Sequence, residues 1–185
     1  MSQTTRMALA ASLKKLLEEK PLEKISIRDI TEDSEVNRQT FYYHYRDIYD
    51  LIEWVFINEG GKVLREHNSY ESFQEGFLSI FYYLEGNKRL VLSTFHSIGR
   101  EQLERFLFGE VYKLLSGLVN DEIIGESISD ANKAFIIDFY KYALAGTMFQ
   151  WIRTDMQEDP KIIANNISRL ITGDIPPLLL KHKES

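Results

Sequence analysis

The sequence contains no cysteine. That removes disulfides, thiolate nucleophiles and Cys-based zinc sites, and it fits a chain with no dependence on an oxidising compartment. No stretch approaches 18 uninterrupted apolar residues, and the first twenty, which include Arg6, Lys14, Lys15 and Glu18, hold no signal-peptide core. A soluble cytoplasmic protein is expected. A basic surplus is also missing: the net charge is −6, which argues against a general nucleic-acid coat, because unspecific binding draws its affinity from Lys and Arg. Any contact with nucleic acid must therefore be local. Residues 1–50 hold eight Lys/Arg against nine Asp/Glu, so that segment carries −1 and residues 51–185 carry −5. The phosphate-cradling, dinucleotide, zinc-protease and nucleophile-elbow motifs are absent, and His44, His67, His96 and His182 never stand at helical ligand spacing. No enzyme, metal or cofactor is expected. Asn166-Ile167-Ser168 matches a glycosylation sequon, but inside an expected helix of a cytoplasmic chain it reads as chance.

What is present is helical periodicity over 185 residues, with 44% hydrophobic and 12% aromatic content, enough for a substantial core. No alternating run suggests a strand. Leu9, Leu13, Leu16 and Leu17 stripe a first helix that should end near Lys20, because Pro21 cannot continue it. Ser26 reads as an N-cap with Asp29 three residues on, opening a short helix that carries Ile27 and Ile30 inward. A turn at Ser34-Glu35-Val36 leads to a second short helix from about Asn37 to Tyr43. Asp47 caps the next, reaching about residue 66, with Ile48, Leu51, Ile52, Val55 and Phe56 on one face and Trp54 and Ile57 off it. Further helices are expected over about 70–85, around 90–95, over 100–119 and, capped by Ser129, to about Thr154. Residues 120–129 read as a loop. Asp159-Pro160 starts a last helix that should close at Gly173, leaving a frayed tail with Pro176-Pro177.

The chemistry concentrates between Ser26 and Leu51. Two short helices joined by a tight turn, the second rich in groups that bond base edges and phosphates, meet the needs of a helix-turn-helix. Asn37, Arg38, Gln39 and Thr40 fall on its first turn. Arg pairs bidentately with guanine, and Gln or Asn with adenine. Phe41 falls inward, while Tyr42 and Tyr43 offer phenolic donors to phosphate. The plainer reading is a solvated helical hairpin with an aromatic hinge.

Ile27-Arg28-Asp29-Ile30, then Val36 through Asp47, and Leu51 closely resemble the DNA-binding signature of the TetR family, over roughly residues 6–56. The resemblance implies an all-α fold, with an N-terminal three-helix helix-turn-helix domain followed by a helical-bundle domain that dimerises and senses an effector. It places Thr40, Tyr42, Tyr43 and His44 on the recognition helix and directs Arg28, on the helix before it, at the DNA. Three positions depart from the family pattern. Glu35 stands at the turn position usually given to Gly, where a left-handed backbone would cost about 1 kcal/mol. Ser34 replaces a small Ala. Ile48 replaces a phosphate-binding Lys, for which Arg46 is the candidate substitute. Tyr43 through Leu51 also resembles the subgroup that includes activators of dihydroxyacetone-kinase operons.

Ala143, Ala145 and Gly146 form a small-residue patch on the long helix near 130–154, with Trp151 beyond it; Ala143, Gly146 and Trp151 are the expected dimer contacts, against ordinary intrachain packing. The aromatics Phe77, Phe81, Tyr82, Tyr83, Phe95, Tyr112, Phe139, Tyr140 and Tyr142 either line an effector cavity or fill the core. The expectation is then a homodimer whose residues 1–47 bind palindromic operator DNA and whose residues 48–185 dimerise and answer to an unidentified small-molecule or protein effector. The competing reading is a DNA-independent co-regulator or helical small-molecule binder, favoured by the acidic balance, Glu35 and the missing Lys at 48.

Overall fold

A computed structural model describes residues 3–61, 73–122 and 129–181, and every regular element among them is helical. The order is α1 (Gln3–Glu19), a 3-10 turn at Leu22–Lys24, α2 (Ile27–Asp33), α3 (Arg38–His44), α4 (Ile48–Val55) running into a π-helical turn at Phe56–Gly60, α5 (Phe73–Gly86), α6 (Lys88–Phe95), α7 (Arg100–Glu122), α8 (Asp130–Arg153) and α9 (Pro160–Lys181). None is long and apolar enough to cross a membrane.

The chain forms two compact units. The first comprises Met1–Gly60 and Asn87–Phe106. In it α1 packs on α2, α4 and α6, and α2 on α3. Leu9 and Leu13 of α1, Ile30 of α2, Phe41 of α3 and Leu51, Ile52 and Val55 of α4 are fully buried together. Phe56 stacks on Phe106 with ring centroids 5.4 Å apart, and Ser12, itself buried, donates to the Ile30 carbonyl at 3.1 Å. These contacts explain why the unit extends beyond residue 47, where the expected boundary lay: the apolar face of α4 completes the core begun by α1. Ile57, off that face, is exposed. Gly99, between α6 and α7, lies so close to α4 that an added Cβ would fall 2.5 Å from Tyr49 Cδ1. The helix expected to reach residue 66 is described only to Gly61, and 62–66 lie outside the described residues.

The second unit comprises Gly61–Gly86 and Leu107–Ser185. Here α5 packs on α9. Phe73, Phe77 and Phe81 form a ladder along α5, and Phe81 meets Trp151 of α8 edge-on at 4.9 Å. The Trp151 indole Nε1 donates to the Glu158 carbonyl at 2.8 Å. Trp151 is therefore a core residue and does not share the surface of Ala143 and Gly146. The reason is helical phase: five residues beyond Gly146 is about 140° round the helix. Phe77, Phe81 and Phe95 are buried, whereas Tyr82, Tyr112, Phe139 and Tyr142 are exposed, so the aromatic set does not line one cavity. Ser129 caps α8 by accepting from the Asn132 amide. The helix closes through Asp155 and Met156, both left-handed, with the Met156 amide returning to the Trp151 carbonyl at 2.9 Å. Asp159 accepts from the Lys161 amide and opens α9. That helix runs past Gly173 and Pro176-Pro177 to Lys181, further than expected. Gly and Pro impose finite costs on a helix, about 1 and 3 kcal/mol, which are not absolute stops. Residues 120–122, expected to open a loop over 120–129, instead complete α7, which ends at Glu122, because no Gly or Pro stands between Val119 and Gly125. Residues 123–128 of that loop, the expected helix start at 70–72 and the tail beyond Lys181 lie outside the described residues.

Candidate nucleic-acid interface

The interface is assembled by local hydrogen bonds that leave one helix little choice of position. Ser26 and Asp29 form a complete capping box at the start of α2: the Ser26 hydroxyl accepts from the Asp29 amide at 3.2 Å, and the Asp29 carboxylate accepts from the Ser26 amide at 2.7 Å. The Ser26 backbone bond, then Lys20 at 3.0 Å and the Ser26 hydroxyl, hold the Asp29 carboxyl at about 2, below its ordinary 3.8. At the other end of α2 the Ser34 hydroxyl donates to the Ile30 carbonyl at 2.6 Å. The chain then turns through Glu35, whose φ of 53° is the left-handed conformation expected where Gly is usual. The Val36 amide closes the turn on the Thr31 carbonyl at 3.0 Å.

Asn37 caps α3: its Oδ1 accepts from the Thr40 amide at 2.7 Å and from the Thr40 hydroxyl at 3.0 Å. That acceptor is thus engaged in orienting the helix. Phe41 is the residue α3 buries, wedged against Tyr42 at 5.8 Å and Tyr45 at 5.7 Å between ring centroids. With Phe41 pointing inward, Arg38, Gln39, Tyr42 and Tyr43 point outward, Tyr43 being 78% exposed, and Thr40 and His44 are half-buried. Arg38 donates to the Tyr42 hydroxyl at 3.1 Å and lies 5.6 Å from its ring centroid. Asn37, Gln39, Thr40, Tyr43 and His44 line a cleft of about 220 Å³. Tyr45 ends α3 by donating its amide to the Phe41 carbonyl, and its ring meets Trp54 of α4 at 6.2 Å. Asp47 caps α4 through the Asp50 amide at 2.9 Å.

The seven site residues expected on the recognition helix, Asn37 through Tyr43 without Phe41 and with His44, thus come together on α3 and its cap. Arg28 and Arg46 do not line the cleft. Arg28 pairs with Glu32 at 2.6 Å, and Arg46 pairs with Asp50 at 3.5 Å. A contact that local periodicity could not reveal joins Arg6 of α1 to the site: its Nε donates to His44 Nδ1 at 3.4 Å across 38 positions of sequence. Burial, Arg6 and the N-terminal amine, in that order, lower the His44 imidazole from its ordinary value. Among the described residues no group of His, Asp and Glu is arranged to hold a metal. What the arrangement offers is an exposed helix end whose side chains have the donors and acceptors to bond base edges and phosphates, on a capped scaffold.

Comparison with known proteins gives two family matches: residues 9–55 match the model of bacterial regulatory proteins of the tetR family, and residues 71–173 match a transcriptional regulator C-terminal region. A curated relative, the HTH-type dhaKLM operon transcriptional activator DhaS of Lactococcus lactis subsp. lactis (strain IL1403), is 25% identical over 142 residues, covering 76% of this chain and 75% of the relative. A solved structure of the dihydroxyacetone kinase operon activator DhaS superposes with a TM-score of 0.75 at 21% identity, covering 99% of this chain and all of that one. Salmonella enterica GusR gives 0.60 at 16% identity, covering 97% and 98%.

Proposed function

The chain belongs to the TetR family of transcription regulators, and from that premise we propose that it binds operator DNA as a cytoplasmic homodimer through α3, with an effector setting the affinity. The observation that carries this reading is the outward face of α3. The major groove is wide enough to admit an α-helix, and Arg and Gln side chains at its N-terminal end can reach base edges. Arg38 and Gln39 read bases in this scheme. Tyr42 and Tyr43 hold phosphates and set register, with Thr40 and His44 lining the cleft beside them and Arg28 and Arg46 at the edge of the contact. No catalytic step is assigned.

Residues 1–47, the N-terminal part of the first unit, carry the DNA contact, and dimerisation and effector sensing fall to the rest of the chain, residues 48–185. Support for the dimer comes from α8 and α9. Phe139, Ala143 and Gly146 on α8, and Ile162 and Leu170 on α9, are exposed, and burying such a face against a second copy forms a four-helix bundle. Two recognition helices related by the dimer axis would read half-sites about 34–36 Å apart, and an effector favouring another separation would lower affinity for that spacing.

The test is a pair of substitutions read on cognate and random DNA. Gln39→Ala should cost about 1–3 kcal/mol on the cognate site and relax preference at one or two base pairs. Tyr43→Phe should weaken all sequences alike. Equal losses on both duplexes for Gln39→Ala would remove Gln39 from the base-reading role.

A further inference from the structure

DNA binding draws on cations that are free to meet phosphate, and most of those in residues 1–50 are already engaged. Of the eight Lys and Arg there, Lys14 pairs with Glu59, Lys15 with Asp33, Lys20 with Asp29, Arg28 with Glu32 and Arg46 with Asp50. Among the described residues, no carboxylate lies within ion-pair distance of Arg6, Lys24 or Arg38. Lys24 stands in the 3-10 turn before α2, and Arg38 leans on Tyr42. Arg6 differs from both in touching, from a different helix, a side chain that lines the α3 cleft.

The chemistry of that contact is one-sided. An arginine is always charged and only donates, so the Arg6–His44 bond makes His44 Nδ1 the acceptor and leaves the neutral imidazole with its proton on Nε2. Directing Nε at His44 leaves the four N–H groups of the two terminal nitrogens, whose planar fork matches a phosphate. The contact also holds the long side chain beside the cleft before DNA arrives, which reduces the conformational freedom lost on binding. Arg46, the substitute expected for the absent Lys at position 48, has Asp50 beside it instead.

We propose that Arg6 is a phosphate-binding residue of the operator interface, supplied by α1, and that it takes the place of the cation missing where Ile48 opens α4. The proposal rests on the DNA-binding reading. Each engaged phosphate contributes about 0.9 to the slope of log K against log salt, so Arg6→Gln should lower that slope by about 0.9 per protomer, equally on cognate and random DNA. Base preference should not change. Arg6→Lys keeps the charge without the fork or the His44 bond, and should recover most of the slope.

The experiment is a salt titration of binding to both duplexes by wild type, Arg6→Gln, Arg6→Lys and Arg46→Gln, with melting temperatures measured on the same preparations. A role confined to packing would lower the melting temperature and leave the slope alone. A wild-type slope for Arg6→Gln overturns the proposal while leaving the DNA-binding reading intact, and a slope that falls only for Arg46→Gln returns the role to Arg46. Wild-type protein that binds neither duplex overturns both.

Discussion

Glu35→Gly is expected to stabilise the protein, and the expectation follows from one dihedral angle. Glu35 has φ 53° in the turn between α2 and α3 and is exposed. A left-handed backbone costs an L-residue with a Cβ about 1–2 kcal/mol. Glycine avoids that cost but gives the unfolded chain more freedom, which takes back about 0.4–1 kcal/mol. The net gain should be about 0.5–1 kcal/mol, or roughly 1–4 °C in melting temperature for a chain of this size. The substitution also removes a negative charge next to the recognition helix, so DNA affinity should rise whether or not the backbone argument is right. Glu35→Ala separates the two effects, because alanine removes the charge and retains the Cβ. Urea and thermal unfolding should be compared at equal protomer concentration, since the proposed dimer would make both transitions concentration-dependent. Glycine should exceed alanine in stability, and both should bind DNA more tightly than wild type. If glycine is no more stable than alanine, the turn is not strained as the angle implies.

Gly146→Leu should leave the protomer folded, because a Cβ there meets nothing within 4 Å, yet it should weaken self-association by about 1–3 kcal/mol through overpacking at the subunit contact; sedimentation at falling concentration measures it, and an unchanged dimer would exclude this face. Acid should destabilise the protein partly through Asp29, held at about 2 instead of 3.8. A carboxyl depressed by folding contributes stability above its unfolded value and loses it as pH falls from about 4 toward 2, so Asp29→Asn should flatten that stretch of the stability curve; a wild-type slope in the variant would refute the assignment. Trp54, whose ring meets Tyr45 at the end of α3, should change emission when an effector alters operator affinity, with a coupling of about 1–3 kcal/mol. The measurement uses a Trp151→Phe background checked for DNA binding; since α4 follows directly on the end of α3, an effector that shifts affinity without altering Trp54 would show that its effect does not pass through α4.

The local features of the fold were legible in the sequence because each depends on a few neighbouring residues. The caps at Ser26, Asp47, Ser129 and Asp159, the inward Phe41 and the strained Glu35 all stand where side-chain chemistry and helical phase place them. Long-range packing was not legible. Nothing in the periodicity of α1 points Arg6 at a residue 38 positions away. The Trp151 environment depends on Phe81, seventy positions earlier. The turn after α8 uses left-handed Asp155 and Met156 where glycine would have signalled it, and α9 overrides a Gly and two Pro that read as its end. The π-helical turn at Phe56–Gly60 widens the helix where its apolar periodicity continues unbroken through Phe56, so the pattern does not signal it, although Ile57 stands off the apolar face as expected.

A transcription regulator of this kind must recognise a particular DNA. Its affinity for the DNA upstream of its own gene should be measured against a random duplex of equal length, between about 50 and 200 mM salt. Two protomers should bind per site, with a preference for the upstream DNA of at least about 10³ and a steep fall of both affinities with salt. Equal affinity for the two duplexes, or no binding to either at the lowest salt, would rule out sequence-specific regulation through α3.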